Sequence, residues 1–341
     1  LSRLQTHLER NNILTKNQFG FRPNTSTFHA LNHFYDHILS CLEKKEYPIG
    51  IFCDLTKAFD TICHKRLLNK LENYGIRGVP LEWIQSYLLK RTQYVAYKYF
   101  DTNTNSTKNA FSNIMEVSLG VPQGSILGPT LFICYINDLN HNLESSVNTT
   151  LYADDATIII SDRFSHELQL KCDNTTKNMS NYFNSNSLYL NETKTKYLRF
   201  HQHNVKADIN DVRIMLNNTI LDKTNTVKFL GLTLDDKLNW TLHCNRLIGQ
   251  LSKVCCLIRN VRSLLDLNHL LMIYYGQVES RLRYGICFWG MSPSAQDVSV
   301  IQKRILRTIL NVSQRHSCRE LFKKYNLMTV PSLYVFECCM Y

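Results

Sequence analysis

A chain of 341 residues, 44% of them hydrophobic, can bury a substantial core, and its length suggests two or three structural units. Its formal charge of +11 favours a polyanionic partner such as nucleic acid, although a basic surface also serves solubility alone. No apolar stretch reaches a membrane span, no secretory signal opens the chain, and the 12 cysteines form no C-x-x-C or Cys/His framework, so an intracellular protein with reduced thiols and no membrane partner is expected.

In chain order, Leu1, Leu4 and Leu8 share a helix face that Asn11-Asn12 ends. A loop containing Gln18-Phe19-Gly20-Phe21-Arg22 caps a second helix striped by Ala30, Phe34, Ile38 and Leu42. Within it Arg22 either meets phosphate or pairs with an acid, and the loop alone leaves both open. Ile49, Ile51 and Phe52 read as a strand that delivers Asp54 at its C-terminal end. Helical patterns over 65–74 and 81–89 are separated by Gly75, Gly78 and Pro80. Segments 93–100 and 111–119 alternate as a hairpin around a polar loop, 101–109. The turn around Gly120-Val121-Pro122-Gln123-Gly124 then precedes an apolar helix through Ile136, where glycine permits close approach of a ligand and a helix N-terminus favours anions.

The run Leu151-Tyr152-Ala153-Asp154-Asp155-Ala156-Thr157-Ile158 places two adjacent carboxylates in the turn of a hairpin. Alone, such a pair is most simply a solvated turn. Asp54 changes the balance, because a strand lying beside the hairpin would bring three carboxylates to one sheet edge. Such a cluster suits two divalent ions about 3.5–4 Å apart, the arrangement for in-line phosphoryl displacement, and the implied reaction class is nucleotidyl transfer. Near it, Phe59 is either a ring that excludes a ribose 2′-hydroxyl or a plain core aromatic.

Further on, 164–183 reads as a helix, and Lys194 stands at a loop-to-strand junction, as a general acid toward pyrophosphate or simply exposed. Strand patterns follow over 213–216 and 227–234, then helices over 242–261, 268–283 and 298–311. Residues 237–341 hold 14 Lys and Arg against 5 Asp and Glu, a net of +9. The helical Arg246, Lys253, Arg259, Arg262, Lys303, Arg304 and Arg307 fit contacts to a phosphate backbone, or solvated faces.

Taken together, Gln18-Phe19-Gly20-Phe21-Arg22, Phe52-Cys53-Asp54-Leu55-Thr56-Lys57-Ala58-Phe59-Asp60, Gly120-Val121-Pro122-Gln123-Gly124-Ser125, Tyr152-Ala153-Asp154-Asp155, Leu190-Asn191-Glu192-Thr193-Lys194-Thr195-Lys196 and Phe229-Leu230-Gly231 resemble, in order, the reverse transcriptase of non-LTR retrotransposons, most of all the jockey group. The resemblance implies an α+β right-hand polymerase: partial fingers over 1–46, an antiparallel-sheet palm over 47–235, and a helical basic thumb and C-terminal region over 236–341. It implies Asp54, Asp154 and Asp155 as the catalytic and metal-binding triad for two Mg²⁺ or Mn²⁺ ions, with the Leu55 carbonyl as an extra ligand. Phe59 would be the steric gate, Gln123 and Gly124 the turn beside nucleotide and template, and Lys194 a triphosphate contact. Arg22, Phe229, Leu230 and Gly231 would contact primer or template. The partners implied are an RNA template, a DNA primer and dNTPs, and the compartment the nucleus.

The family's upstream Arg-Pro-Ile-Ser-like fingers segment and its endonuclease would precede Leu1, so an N-terminally truncated domain is expected. A second reading follows from that expectation: a remnant that binds RNA or RNA–DNA hybrid without polymerising. Another two-metal enzyme, such as a nucleotide cyclase, would account for the triad but not for Gln123-Gly124.

Overall fold

In the computed structural model, which describes residues 1–201 and 212–341, two helices lead in. α1 (Ser2–Arg10) buries only Leu8, whereas α2 (Thr27–Glu43) buries Ala30, Leu31, Phe34, Ile38 and Cys41 along one stripe. That stripe needs an apolar floor, and a sheet supplies it. β1 (Ile49–Cys53) is buried at every position, the mark of a strand covered on both faces. Its side chains alternate: Ile49, Ile51 and Cys53 join the main core with Phe132 and Met179, while Phe52 meets Phe34 of α2, ring centroids 5.8 Å apart.

β2 (Leu55–Thr56), α3 (His64–Asn73) and α4 (Val79–Leu88) follow, then the short strands β3 (Thr92–Gln93), β4 (Ala96–Asp101), β5 (Ser106–Phe111) and β6 (Met115–Glu116). α5 (Gly128–Ile136) is buried at every residue except Pro129, which explains why it reads as apolar all round. β7 (Asn148–Tyr152) and β8 (Asp155–Ile160) form a hairpin, and α6 (Ser165–Ser185), β9 (Tyr189–Leu190), β10 (Lys196–Arg199), β11 (Met215–Leu216), β12 (Thr219–Ile220) and β13 (Asp222–Lys223) complete the first of two compact units, Leu1–Thr224. The main sheet runs β13-β10-β1-β8-β7, antiparallel except for β10 with β13. Ile51 stands opposite Ile158 on one side and Tyr197 on the other, so apolar residues fill the sheet centre.

β4 and β5 pair from Ala96↔Phe111 to Asp101↔Ser106, so the strands take up much of the expected 101–109 loop. Neither strand contains a buried residue.

The second unit, Asn225–Tyr341, opens on β14 (Thr226–Phe229) and β15 (Leu232–Asp235). The segment read as one strand, 227–234, is therefore a hairpin. Leu230 and Gly231 both take positive φ, 43° and 83°, as a two-residue I′ turn requires. Helices follow: α7 (Thr241–Val261), α8 (Leu267–Tyr274), α9 (Ser280–Arg283), α10 (Ile286–Trp289), α11 (Ala295–Ile309), α12 (Arg319–Lys324) and α13 (Val330–Met340). A π-helical turn, Tyr275–Glu279, interrupts what the sequence presents as one helix over 268–283. α7 buries Leu247, Leu251, Val254 and Ile258, and α11, packed against it, buries Val298, Ile301, Ile305 and Ile309. All twelve cysteines are free. Among the described residues no helix is long and apolar enough to cross a membrane.

Candidate active site

The register of the sheet brings two of the predicted carboxylates together. Cys53 pairs with Ala156 in the antiparallel ladder, so the next step along each strand sets Asp54 toward Asp155. Tyr152↔Asp155 closes the β7–β8 ladder, leaving Ala153 and Asp154 as the turn. Ala153 accepts a left-handed backbone, φ 58°, and this tight reversal puts Asp154 beside its neighbour. Although Asp155 keeps an exposed surface, partial desolvation against the sheet edge, followed by the charges of Asp154 and Asp54, raises its pKa above the ordinary value. The three acids thus share one field of negative charge. Their side chains are not closed into a coordination sphere: among the described residues no group of three or more His, Cys, Asp or Glu is arranged to hold a metal ion.

Lys194 joins this edge, with its Nζ 3.9 Å from Asp54 Oδ2 and its side chain 69% exposed. The backbone sets it there: the Asn191 amide donates to the Asp54 carbonyl at 2.8 Å, and the Asp54 amide donates to Thr195 Oγ1 at 3.2 Å. Leu55 pairs with Leu190 in the two-residue ladder β2–β9, which fixes both ends of the same strap.

Phe59 stacks on Phe132 of α5, centroids 4.5 Å apart and planes 25° from parallel, and its edge meets Phe21. It is partly buried against the core, so the packing role is real whatever else the ring does. The Gly120 loop is pressed onto the turn that carries it: the Val121 amide donates to the Phe59 carbonyl at 2.9 Å, and a Cβ on Gly120 would lie 2.8 Å from the Asp60 backbone. Gln123 follows, its Nε2 donating to Asp60 Oδ1 at 2.8 Å. Gly124, at φ 78°, has open space where a Cβ would be. Gln123 and Asp60 line a cleft of about 490 Å³ together with Lys57 and Arg91.

Of the two readings open for Arg22, pairing with an acid is the one observed. Its guanidinium grips Glu9 through two bonds, 2.9 and 2.6 Å, and donates to the Thr15 carbonyl, with 16% of the side chain exposed. Phe229, Leu230 and Gly231 belong to the second unit, where Phe229 is buried and Leu230 and Gly231 form the hairpin tip. The Tyr284 hydroxyl donates to the Leu230 carbonyl and braces that tip.

Three positions that hold candidate site residues or their neighbours escape a reading of motifs one at a time. Gln18, buried, accepts from the Gly20 amide at 2.8 Å and from the Ala153 amide at 3.1 Å with the same Oε1. Asp60 holds Gln123, and Thr195 holds Asp54. Each lies inside a motif quoted for its neighbours.

The model of the family described as "Reverse transcriptase (RNA-dependent DNA polymerase)" matches residues 1–234. "Probable RNA-directed DNA polymerase from transposon BS" of Drosophila melanogaster is 27% identical over 96% of this chain and 36% of its own length. "RNA-directed DNA polymerase from mobile element jockey" is 26% identical in Drosophila melanogaster, over 91% of this chain and 33% of the relative, and 28% identical in Drosophila funebris, again over 91% and 33%. The chain therefore spans about a third of the length of these curated relatives. Among solved structures, an apo telomerase from Candida tropicalis aligns with 98% of this chain and 54% of its own, at 11% identity and a TM-score of 0.47. Three carboxylates at one sheet edge, a lysine beside them and a family match over most of the chain agree: the chain belongs to the reverse transcriptase (RNA-dependent DNA polymerase) family.

Proposed function

We propose that the chain carries out RNA-directed DNA synthesis as the polymerase domain of a non-LTR mobile element, transferring a nucleotide from a dNTP to a primer 3′-hydroxyl on an RNA template. The observation that carries this reading is the convergence of Asp54 and Asp155 across one ladder, with Asp154 in the adjoining turn. Partial fingers and the palm as far as Thr224 would lie in the first compact unit, and the last palm residues, 225–235, with the thumb in the second.

The family uses divalent ions, and the donor set here fits them. Hard carboxylate oxygens are the ligands Mg²⁺ and Mn²⁺ prefer, and the charges of Asp54 and Asp154 contribute to the raised Asp155 pKa, so a cation beside them would be favoured. Asp54, Asp154, Asp155 and the Leu55 carbonyl would hold two ions, whose contribution when bound is to acidify the primer hydroxyl and to neutralise the departing pyrophosphate. The protein's own groups do the rest. Lys194, exposed and tethered beside Asp54, would be the general acid toward the departing pyrophosphate. Phe59, its ring fixed by Phe132, would be the residue that excludes a ribose 2′-hydroxyl. Gln123 is oriented by Asp60, and Gly124 leaves room for a nucleotide or template backbone. The Leu230-Gly231 tip, buttressed by Tyr284, would meet the primer, and in the cell the work would take place in the nucleus.

Primer extension on an RNA template with Mg²⁺ and dNTPs, comparing the chain with Asp154→Asn, tests the proposal. Aspartate-dependent extension is the expected result. No extension by either protein, with RNA–DNA hybrid still bound, would replace it with the reading of a binding remnant.

A further inference from the structure

Four arginines meet at one cleft in the helical unit. Arg259 and Arg262 come from the C-terminal end of α7 and Arg304 and Arg307 from the C-terminal half of α11, around a cavity of about 650 Å³ that Thr308 and Gln314 also line. No acidic side chain lines it, and none of the four is ion-paired among the described residues. Arg307 is held in place by its Nε bond to the His316 carbonyl, 2.9 Å. A cation in a helix's last turn offsets the macrodipole, which accounts for Arg259 and Arg307. Arg262, the C-cap residue of α7, shares that role, which leaves Arg304, more than a turn inside the end of α11, as one more like charge added to a site where each repels the others. Guanidiniums clustered without acids are what planar, bidentate recognition of successive phosphates requires.

This cleft is separate from the surface beside the Leu230-Gly231 tip. There, a smaller cavity of about 300 Å³ is lined by Gly231 with His243, Arg246, Leu247 and Gln250 of α7. At about 1.5 Å and 100° per residue, Arg259 and Arg262 stand roughly 20 and 24 Å beyond Arg246 along α7 and about 140° and 160° around it. One strand lying straight along a single face of α7 would not meet both. We propose that the four-arginine cleft is a second nucleic-acid site, taking consecutive backbone phosphates of a single strand. It stands independently of the carboxylate edge.

The test is fluorescence anisotropy of a short labelled RNA with the whole chain, across about 50–200 mM salt. Arg262→Ala/Arg304→Ala is the informative variant, because both side chains are exposed and neither guanidinium holds backbone. Affinity should fall about 10-fold and the log–log salt slope should drop by about 2, whereas Lys323→Ala/Lys324→Ala, an equal loss of charge outside the cleft, should cost less than about 3-fold. Arg259→Gln alone should remove about one unit of slope. Equal losses in the two double variants would reduce the cleft to bulk charge and overturn the proposal. So would inorganic tripolyphosphate binding that the double variant loses while its RNA affinity stays intact, which would mark a site for free polyphosphate. Asp154→Asn should bind this RNA as the wild type does, so failure here and failure of nucleotidyl transfer are read separately.

Discussion

Gln18 Oε1 accepts a hydrogen bond from the amide of Ala153, 135 residues away in sequence. The bond fixes the residue that precedes Asp154, and the same oxygen holds the Gly20 amide. Backbone bonds repeat the connection on either side, Phe19 to the Leu151 carbonyl at 2.8 Å and Leu151 to the Asn17 carbonyl at 2.9 Å. A Cβ on Gly20 would overlap the Ala153 amide nitrogen, so this approach also requires glycine. The N-terminal loop is thus a clamp on the carboxylate turn.

Gln18→Ala leaves two buried amides without an acceptor, which costs about 1–3 kcal/mol for each group. Extension at saturating dNTP should drop about 10-fold or more while the dNTP KM holds, since the residue acts through the turn's position. Thermal melting and steady-state extension check the pair of effects. Destabilisation with full activity would reduce Gln18 to a packing residue.

Asp155 titrates above an ordinary aspartate because partial desolvation and two neighbouring acids oppose its charge. The native state therefore holds its proton more tightly than the unfolded chain does, and stability falls as pH rises from the ordinary value through the raised one. That deficit persists at neutral pH. Asp155→Asn should raise the Tm at pH 7 without Mg²⁺, and the gain should vanish below about pH 4, where both states are protonated. Added Mg²⁺ should raise the Tm of the wild type more than that of the variant. A variant less stable than wild type at pH 7 would contradict the charge account.

For Phe59 the stack on Phe132 predicts a stability cost of about 2–4 kcal/mol on truncation to alanine, scaled down from a fully buried ring. The polymerase reading adds a second effect, incorporation of ribonucleotides raised about 10-fold relative to dNTPs, a discrimination of roughly 1.4 kcal/mol. Competition between matched dNTP and rNTP separates the two. An unchanged ratio would return the ring to the core.

Arg22→Ala strands Glu9 and removes a two-pronged pair that is mostly shielded, so unfolding free energy should drop by about 1–3 kcal/mol. RNA affinity and its salt slope should not change, because the guanidinium faces inward. A slope reduced by about one would restore Arg22 as a backbone contact.

The approach of Asp54 to the Asp154-Asp155 hairpin was legible in the sequence because a strand's two-residue period fixes where Asp54 leaves the sheet; the expectation that both aspartates sit in the turn was not met, since Ala153 and Asp154 make the turn and Asp155 already opens β8 opposite Tyr152. Lys194 was legible as a candidate, and the Asn191 and Thr195 bonds to the Asp54 backbone explain its placement. The clamp by Gln18 was not. Nothing local distinguishes an amide that caps its own loop from one that also crosses to a distant turn. Arg22 was legible only as a pair of alternatives, since phosphate and carboxylate ask the same geometry of a guanidinium. The split of 227–234 into two strands rests on Leu230 at positive φ, a conformation its residue type does not advertise. The π-turn at Tyr275–Glu279 was hidden because one extra residue in a helix barely disturbs apolar spacing.

β8 is buried from Ala156 to Ile160, whereas the β4–β5 ribbon leaves its aromatic residues in solvent: Tyr97, Phe100 and Phe111 are 60%, 59% and 62% exposed. Alternation specifies the pleat and leaves open whether either face is covered. With no buried residue of its own, this ribbon is held by cross-strand pairs and its hydrogen-bonded ladder alone. Its amides should therefore exchange with solvent before those of the main sheet, which hydrogen exchange would read. Residues inserted at the tip between β4 and β5 should consequently leave the carboxylate edge undisturbed.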